Sequence, residues 1–112
     1  MTALTDLERA VLDILLEDPG RVELRRQAAT VDVTGRRMTG VGFFADLGVD
    51  PAAPLATPSS QSLSGVVADI KGVRHGAGFV LFVRDGRLVT LEGFTYDEPW
   101  PDDVAEFRVQ RD

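Results

Sequence analysis

Residues 92–101 concentrate the side chains that could recognise a partner. This segment contains the only tyrosine and the only tryptophan of the chain, Tyr96 and Trp100, together with three carboxylates. Aromatic rings with a polar handle beside acidic groups are typical of recognition surfaces. Prolines flank Trp100 on both sides and limit the backbone, so the indole is presented at low entropic cost. The pattern favours a binding role for Tyr96 and Trp100. The structural alternative is that Trp100 closes the open end of a sheet.

Glu92 and His75 are the other two candidate binding residues. Glu92 lies within an apolar run, where burial would disfavour its charged form unless an arginine paired with it. A single carboxylate defines no glycosidase or protease site, because both need a second positioned group. His75 is the only histidine, which excludes metal sites with several histidines from one chain. It could transfer protons, or it could be a solvated residue of a turn. We expect no catalytic residue and no metal ligand.

Two glycine pairs precede aromatic, apolar runs: Gly40-Val41-Gly42-Phe43 and Gly76-Ala77-Gly78-Phe79. Residues 40–45 formally match the dinucleotide fingerprint G-x-G-x-x-A. That fingerprint requires a strand before the glycines and a helix after them. Here a strand-forming run follows the glycines, so we expect no cofactor. Glycines at strand entries indicate bends and close backbone approach, which predicts a curved sheet.

Charge and composition exclude several classes of protein. The chain has 18 acidic and 12 basic residues, a net charge of −6, which argues against a nucleic acid or an anionic membrane as the main partner. It has no cysteine, so disulfides and thiolate metal sites are excluded. The N-terminus lacks the pattern of a signal peptide, and no apolar run approaches the roughly 20 residues that span a bilayer. We therefore expect a cytoplasmic protein, with residues 1–112 forming a single domain.

The hydrophobic pattern predicts an α+β fold. Thr5 and Glu8 form a capping-box pattern that begins an amphipathic helix over residues 5–17. A short second helix and about five or six strands follow, mostly antiparallel, in a curved sheet with the first helix on one face. Asp85-Gly86 is the clearest hairpin signal. The predicted segments are a helix at 22–29, strands at 30–34, 38–47, 63–70, 78–84, 87–94 and 104–109, and turns at 35–37 and 71–76.

Two segments carry specific expectations beyond the element assignment. Residues 48–64 are rich in proline and serine, and a loop of that length is often functional or mobile. It could be a plain surface loop, a functional loop, or an arm packed on another subunit. Residues 79–83 form a near-continuous apolar run, which predicts a central strand buried on both faces.

Three segments carry a resemblance to a known group. TGVGFF (residues 39–44), GAGFVLF (residues 76–82) and LEGFTY (residues 91–96), followed by Trp100-Pro101, resemble a group of small uncharacterised bacterial proteins. The similarity covers residues 24–101. The group has no assigned catalytic residues, so the resemblance implies no site at any position here. In its size, acidity and lack of cysteine, the chain is also similar in character to immunity proteins of bacterial toxin systems.

These observations favour a non-catalytic, protein-binding domain, either immunity-like or self-associating as a homodimer. An aromatic patch around Tyr96 and Trp100 and an acidic surface would make the contact. The alternative is a small-ligand or enzyme domain with a pocket near His75, Glu92 and Tyr96, which requires those side chains to converge. A third interpretation is a domain in which these residues serve packing alone.

Overall fold

The protein is an α+β domain, as the sequence predicts. The computed structural model describes residues 2–112. Helix α1 (Asp6–Leu15), a 3₁₀ turn (Pro19–Arg21) and helix α2 (Val22–Ala29) precede all of the strands. The strands are β1 (Asp32–Met38), β2 (Gly42–Gly48), β3 (Gln61–Leu63), β4 (Val66–Ile70), β5 (Ala77–Arg84), β6 (Arg87–Thr95) and β7 (Phe107–Arg111).

The strands form one antiparallel sheet in the order β1-β2-β6-β5-β4-β7. The short strand β3 pairs with the far end of β5, next to the hairpin. The sheet has seven strands because the segment predicted as one strand at 63–70 is divided in two. Gly65, at φ +98°, lies at that division, since a left-handed backbone cannot continue a strand. The predicted final edge strand is present as β7.

Helix α1 begins where its sequence predicts. The backbone N–H of Glu8 donates to Thr5 Oγ1 at 3.1 Å, and the N–H of Thr5 donates to Glu8 Oε1 at 2.9 Å. This capping box satisfies two of the N–H groups that a helix start leaves unpaired. Leu7, Val11 and Leu15 of the predicted apolar stripe are buried. Helix α1 packs against β4 and β7, and α2 packs against β6.

The turn predicted at residues 35–37 is wrong. Gly35, Arg36 and Arg37 lie inside β1, and the chain reverses at residues 39–41, where the N–H of Thr39 donates to Gly42 O at 3.0 Å. Gly40 supplies the left-handed backbone that this reversal needs, with φ +88°. A β-bulge between Val33 and Gly35 accommodates Gly35, so β1 continues past this glycine.

The loop at residues 48–64 is fixed to the body of the domain by Gln27. This side chain is fully buried, and its amide N–H groups donate to Pro54 O and to Gly86 O, each at 2.8 Å. Its Oε1 accepts the backbone N–H of Leu88 at 3.0 Å. The loop also bonds directly to the hairpin, since the N–H of Ala56 donates to Gly86 O at 2.9 Å. One buried glutamine therefore joins α2, the loop and the β5–β6 hairpin.

The two faces of the sheet have different environments. Both helices lie on one face, where alternate residues such as Phe43, Phe79 and Leu91 are buried. The other face has no helix on it, and we call it the open face. The prediction that residues 79–83 are buried on both sides is wrong for this reason: Phe82 is 37% exposed. Within residues 2–112, neither helix is long and apolar enough to cross a membrane.

Candidate functional site

The open face carries a contiguous group of aromatic and aliphatic side chains. Strand alternation and register place them together, because Phe44 of β2, Glu92 of β6 and Val80 of β5 are consecutive partners across the sheet. Phe82 is 37% exposed and Tyr96 is 48% exposed. The apolar members of the open face include Phe44, Val67, Val80, Phe82, Phe94 and Tyr96.

Gly78 sets the position of two of these rings. Phe94 and Tyr96 pack edge to face, with ring centroids 5.7 Å apart. A Cβ atom added to Gly78 would lie 2.8 Å from Phe94 Cζ and 2.8 Å from Tyr96 Oη. The two rings therefore lie directly over the backbone of β5, which only glycine permits. The second glycine pair of the sequence thus shapes the aromatic surface.

The charges on the open face are balanced, although the chain as a whole is acidic. The guanidinium of Arg37 lies 4.9 Å from the centroid of the Phe44 ring, within the range of a cation–π contact. Asp46 Oδ1 accepts the hydroxyl of Thr90 at 3.3 Å. By strand alternation, the charged residues of this face are Arg37, Arg84, Arg87 and Arg108 with Asp32, Asp46, Asp69 and Glu92.

Glu92 lies in the middle of the open face and does not point into the core. It is partly exposed, between Phe44 and Val80 in register. No salt bridge includes Glu92 in the part of the chain that the structure describes. Partial exposure explains how the carboxylate tolerates two apolar neighbours, because water still reaches it.

His75 and Tyr96 line one depression of about 470 Å³, and Glu92 does not. The depression also contains Glu98, whose carboxylate accepts the backbone N–H of Arg74 at 2.7 Å and that of His75 at 2.8 Å. These two bonds, first that of Arg74 and then that of His75, hold the pKa of Glu98 below its ordinary value. The predicted trio of His75, Glu92 and Tyr96 is therefore not brought together in one pocket.

Replacing Glu98 with alanine should loosen the turn at residues 72–76. A carboxylate whose folded-state pKa is lowered stabilises above its unfolded pKa, near 4.5, and this contribution is lost as the pH falls through the lowered value. In the wild type, the protection factors of the Arg74 and His75 amides, which correct for the intrinsic pH dependence of exchange, should therefore fall on acidification below about pH 4.5. At neutral pH, Glu98→Ala should already exchange at least about tenfold faster at these amides.

The matched control for Glu98 is Asp97→Asn, because Asp97 has a left-handed backbone, φ 58°, that asparagine also accepts. This variant should keep the exchange rates of the wild type. Unchanged exchange of Arg74 and His75 in Glu98→Ala would show that the carboxylate does not hold the turn.

Trp100 lies on the other side of the sheet from Tyr96. Its ring packs edge to face on Phe43, with centroids 5.1 Å apart and planes at 69°. Phe43 belongs to the covered face, whereas Phe94, the neighbour of Tyr96, belongs to the open face. The backbone N–H of Trp100 donates to Gly40 O at 2.8 Å. The structure thus separates the two aromatic residues that the sequence suggested as one patch.

Sequence reasoning did not identify Phe44, Phe82 and Phe94 as surface residues. In their strands, the residues that face either side of the sheet are apolar, as in Phe79-Val80-Leu81-Phe82-Val83. Such a pattern also describes a strand between two layers. A count of the helices could have corrected it, because two short helices cover only one face of a broad sheet.

Comparison with protein-family models, curated proteins and solved structures finds no match to this chain.

Proposed function

We propose that this chain is a non-catalytic, protein-binding domain that self-associates through the open face of its sheet. The observation that carries the proposal is the contiguous, partly exposed aromatic surface of Phe44, Val80, Phe82, Phe94 and Tyr96. Single exposed apolar residues are ordinary, but a connected patch with aromatic members is typical of an interaction site. Antiparallel sheets often leave one face to solvent, and that face is then normally polar. Here aromatic and aliphatic side chains surround the single central carboxylate, Glu92.

The charges of the open face favour a second copy of the chain as the partner. A two-fold interface is formed by the same patch on both subunits, so it must be self-complementary. Four arginines and four carboxylates lie on this face, which allows opposite charges to meet when the face is paired with itself. A strongly basic partner, as an immunity-like role would require, would gain no net electrostatic attraction from a face whose charges balance.

The size of the face is sufficient for a dimer. Six strands side by side, at about 4.8 Å spacing, and strands of up to nine residues give a face of about 25 by 30 Å. Stable interfaces of standard size bury about 600–1,000 Å² on each partner, and the area of this face lies within that range. Phe82, near the β5–β6 hairpin, and Tyr96, at the opposite end of the face, are the aromatic anchors that such interfaces use.

The edges of the sheet are poorer candidates for the contact. The edge strand β1 carries Arg37 and the opposite edge strand β7 carries Arg108, and neither arginine takes part in a salt bridge within residues 2–112. Two copies that paired antiparallel through either edge would bring arginines of like charge together, which is destabilising. The bulge in β1 also disrupts a regular hydrogen-bonded edge. The face, rather than an edge, is therefore the proposed interface.

Light scattering with two matched variants tests the proposal. The wild type should have twice the chain mass of 12.2 kDa. Phe82→Glu places a charge among the apolar side chains of the open face and should raise the dimer dissociation constant by at least about tenfold. Val22→Glu is the control, because Val22 is 38% exposed against 37% for Phe82 but lies on α2, on the covered side. It should remain dimeric.

Two results would contradict the proposal. One is a wild type that stays monomeric at high concentration. The other is a folded Phe82→Glu variant whose mass equals that of the wild type. Circular dichroism of each variant separates loss of the dimer from loss of the fold.

A further inference from the structure

A second concavity lies on the opposite side of the sheet, and the self-association proposed above does not use it. The groove is bordered by the start of α1, by β1 and β2, and by the segment at residues 100–105. Its volume is about 420 Å³, within the range of small-molecule sites. We call it the Trp100 cavity, and its apolar lining is formed by Leu7, Met38, Phe43, Trp100, Val104 and Phe107.

We propose that the Trp100 cavity binds a small hydrophobic cation, such as an organic ammonium ion with an aromatic body. Its charges and its rings favour this class of ligand independently of each other.

The Trp100 cavity has a net negative lining once the ion pair between Arg36 and Glu8 is set aside. The carboxylate of Glu8 is buried and is held by the Arg36 guanidinium in two bonds, of 2.7 and 3.1 Å. Those two charges compensate each other, and Arg36 presents little free charge to a ligand. The remaining charged groups of the lining are the carboxylates of Asp6, Asp102 and Asp103. Asp102 and Asp103 are exposed and take part in no salt bridge within residues 2–112.

The rings of the cavity add an attraction that is specific for cations. Trp100 and Phe43 both line it and hold each other in an edge-to-face contact. An indole is the aromatic side chain that attracts a cation most strongly through its π face. Quaternary ammonium ions are recognised in this way, because they cannot donate hydrogen bonds and depend on aromatic and electrostatic contacts.

Met38 gives the site an adaptable wall. Its side chain is 63% exposed at the end of β1, beside the cavity. A long apolar side chain in water is unfavourable unless something covers it, and a flexible thioether adapts to ligands of irregular shape. An apolar body inside the cavity would cover Met38, while the ammonium group would lie toward Asp102 and Asp103.

The start of α1 does not turn the cavity into an anion site. Its capping box engages the N–H of Glu8 and the hydroxyl of Thr5 with each other. Asp6, at the first helical position, further opposes an approaching anion.

Trp100 provides a direct readout, because it is the only tryptophan of the chain. Its fluorescence should change to saturation on titration with benzyltrimethylammonium, and the apparent affinity should fall with added salt. Benzenesulfonate, an anion of similar size, should cause no saturable change. The monomeric Phe82→Glu variant should bind the cation as the wild type does, because Phe82 lies on the open face. This variant therefore distinguishes a failure of the proposed self-association from a failure of the Trp100 cavity to bind the cation.

Charge-neutral variants test the role of the carboxylates. Replacing both Asp102 and Asp103 with asparagine should raise the dissociation constant for benzyltrimethylammonium by about tenfold. The matched control replaces Asp13 and Asp112 with asparagine, which changes the net charge equally at exposed residues that lie outside both the cavity lining and the open face. It should change the constant by less than about twofold. The inference is overturned if the cation gives no saturable change, if benzenesulfonate binds as tightly, or if the two double variants are equally affected.

Discussion

Replacing Gln27 with leucine should lower the free energy of unfolding by about 3 kcal/mol, although the two side chains are similar in size. The amide of Gln27 is fully buried and makes three hydrogen bonds, to Pro54 O, Gly86 O and Leu88 N. Leucine leaves Pro54 O and the N–H of Leu88 without these partners. Gly86 O keeps its bond from Ala56 N. The unpaired N–H of Leu88 is buried and costs about 1–3 kcal/mol, and the lost bonds to Pro54 O and Gly86 O add about 0.5–1.5 kcal/mol each.

Urea denaturation measures this effect, and Gln61→Leu is its control. Gln61 is partly exposed, and its amide makes one solvent-exposed bond, to Pro58 O at 2.9 Å. The same substitution there should change the free energy of unfolding by less than about 0.5 kcal/mol. Amide exchange at Leu88 and in residues 50–60 should also accelerate in Gln27→Leu, since the loop loses its attachment. If the two variants are equally stable, the buried network has no special energetic role.

Replacing Gly42 with alanine should destabilise the protein by about 3 kcal/mol or more, because the added methyl group meets backbone. A Cβ atom at this position would lie 2.0 Å from Gly93 O and 2.9 Å from Phe94 Cα. These atoms belong to β6, which pairs with β2 in the middle of the sheet. Relief of the clash requires one strand to move away from the other, with loss of ladder hydrogen bonds.

Gly35→Ala is the matched control for Gly42. Gly35 lies on the adjacent strand β1, and its nearest neighbour for an added Cβ atom is Asp46 Oδ2, at 3.9 Å. Alanine there should be neutral or should stabilise the protein by up to about 1 kcal/mol, through the reduced entropy of the unfolded chain. Thermal unfolding of both variants gives the comparison. Equal melting temperatures would mean that close approach of β2 and β6 is not required.

Local features of the fold could be predicted from the sequence. The pair Thr5 and Glu8 predicted the start of α1, since a capping box lies within four consecutive residues. Asp85-Gly86 predicted the β5–β6 hairpin, and both residues have the positive φ values, 53° and 77°, that such a turn requires. In each case the residues that determine the geometry are adjacent in the chain.

Features that depend on distant residues could not be predicted. The partners of Gln27 at Gly86 and Leu88 are 59 and 61 positions away, and no local pattern marks a glutamine as buried. The turn at residues 39–41 was missed because Gly35-Arg36-Arg37 also has turn-forming composition. Register with β2 sends Arg36 toward Glu8 and Arg37 over Phe44, so both arginines fit a strand.

The candidate site was predicted only in part. Tyr96 is exposed and belongs to the open face, which is compatible with the binding role proposed for it. Trp100 lies across the sheet because the chain turns after β6 and the Trp100 backbone bonds to Gly40. Which face of a strand is covered depends on where the helices pack. When the residues on both sides of a strand are apolar, the sequence does not show which side the helices cover.

The most direct test of the proposed self-association is an NMR experiment on a sample that mixes isotope-labelled and unlabelled copies of the chain. Contacts detected only between copies should connect the rings of Phe44, Phe82 and Tyr96 and the methyl groups of Val80. Two results would contradict the assignment of the open face as the interface. One is a set of intermolecular contacts that involves α1 and α2 instead. The other is the absence of any intermolecular contact at a concentration where the mass is that of a dimer.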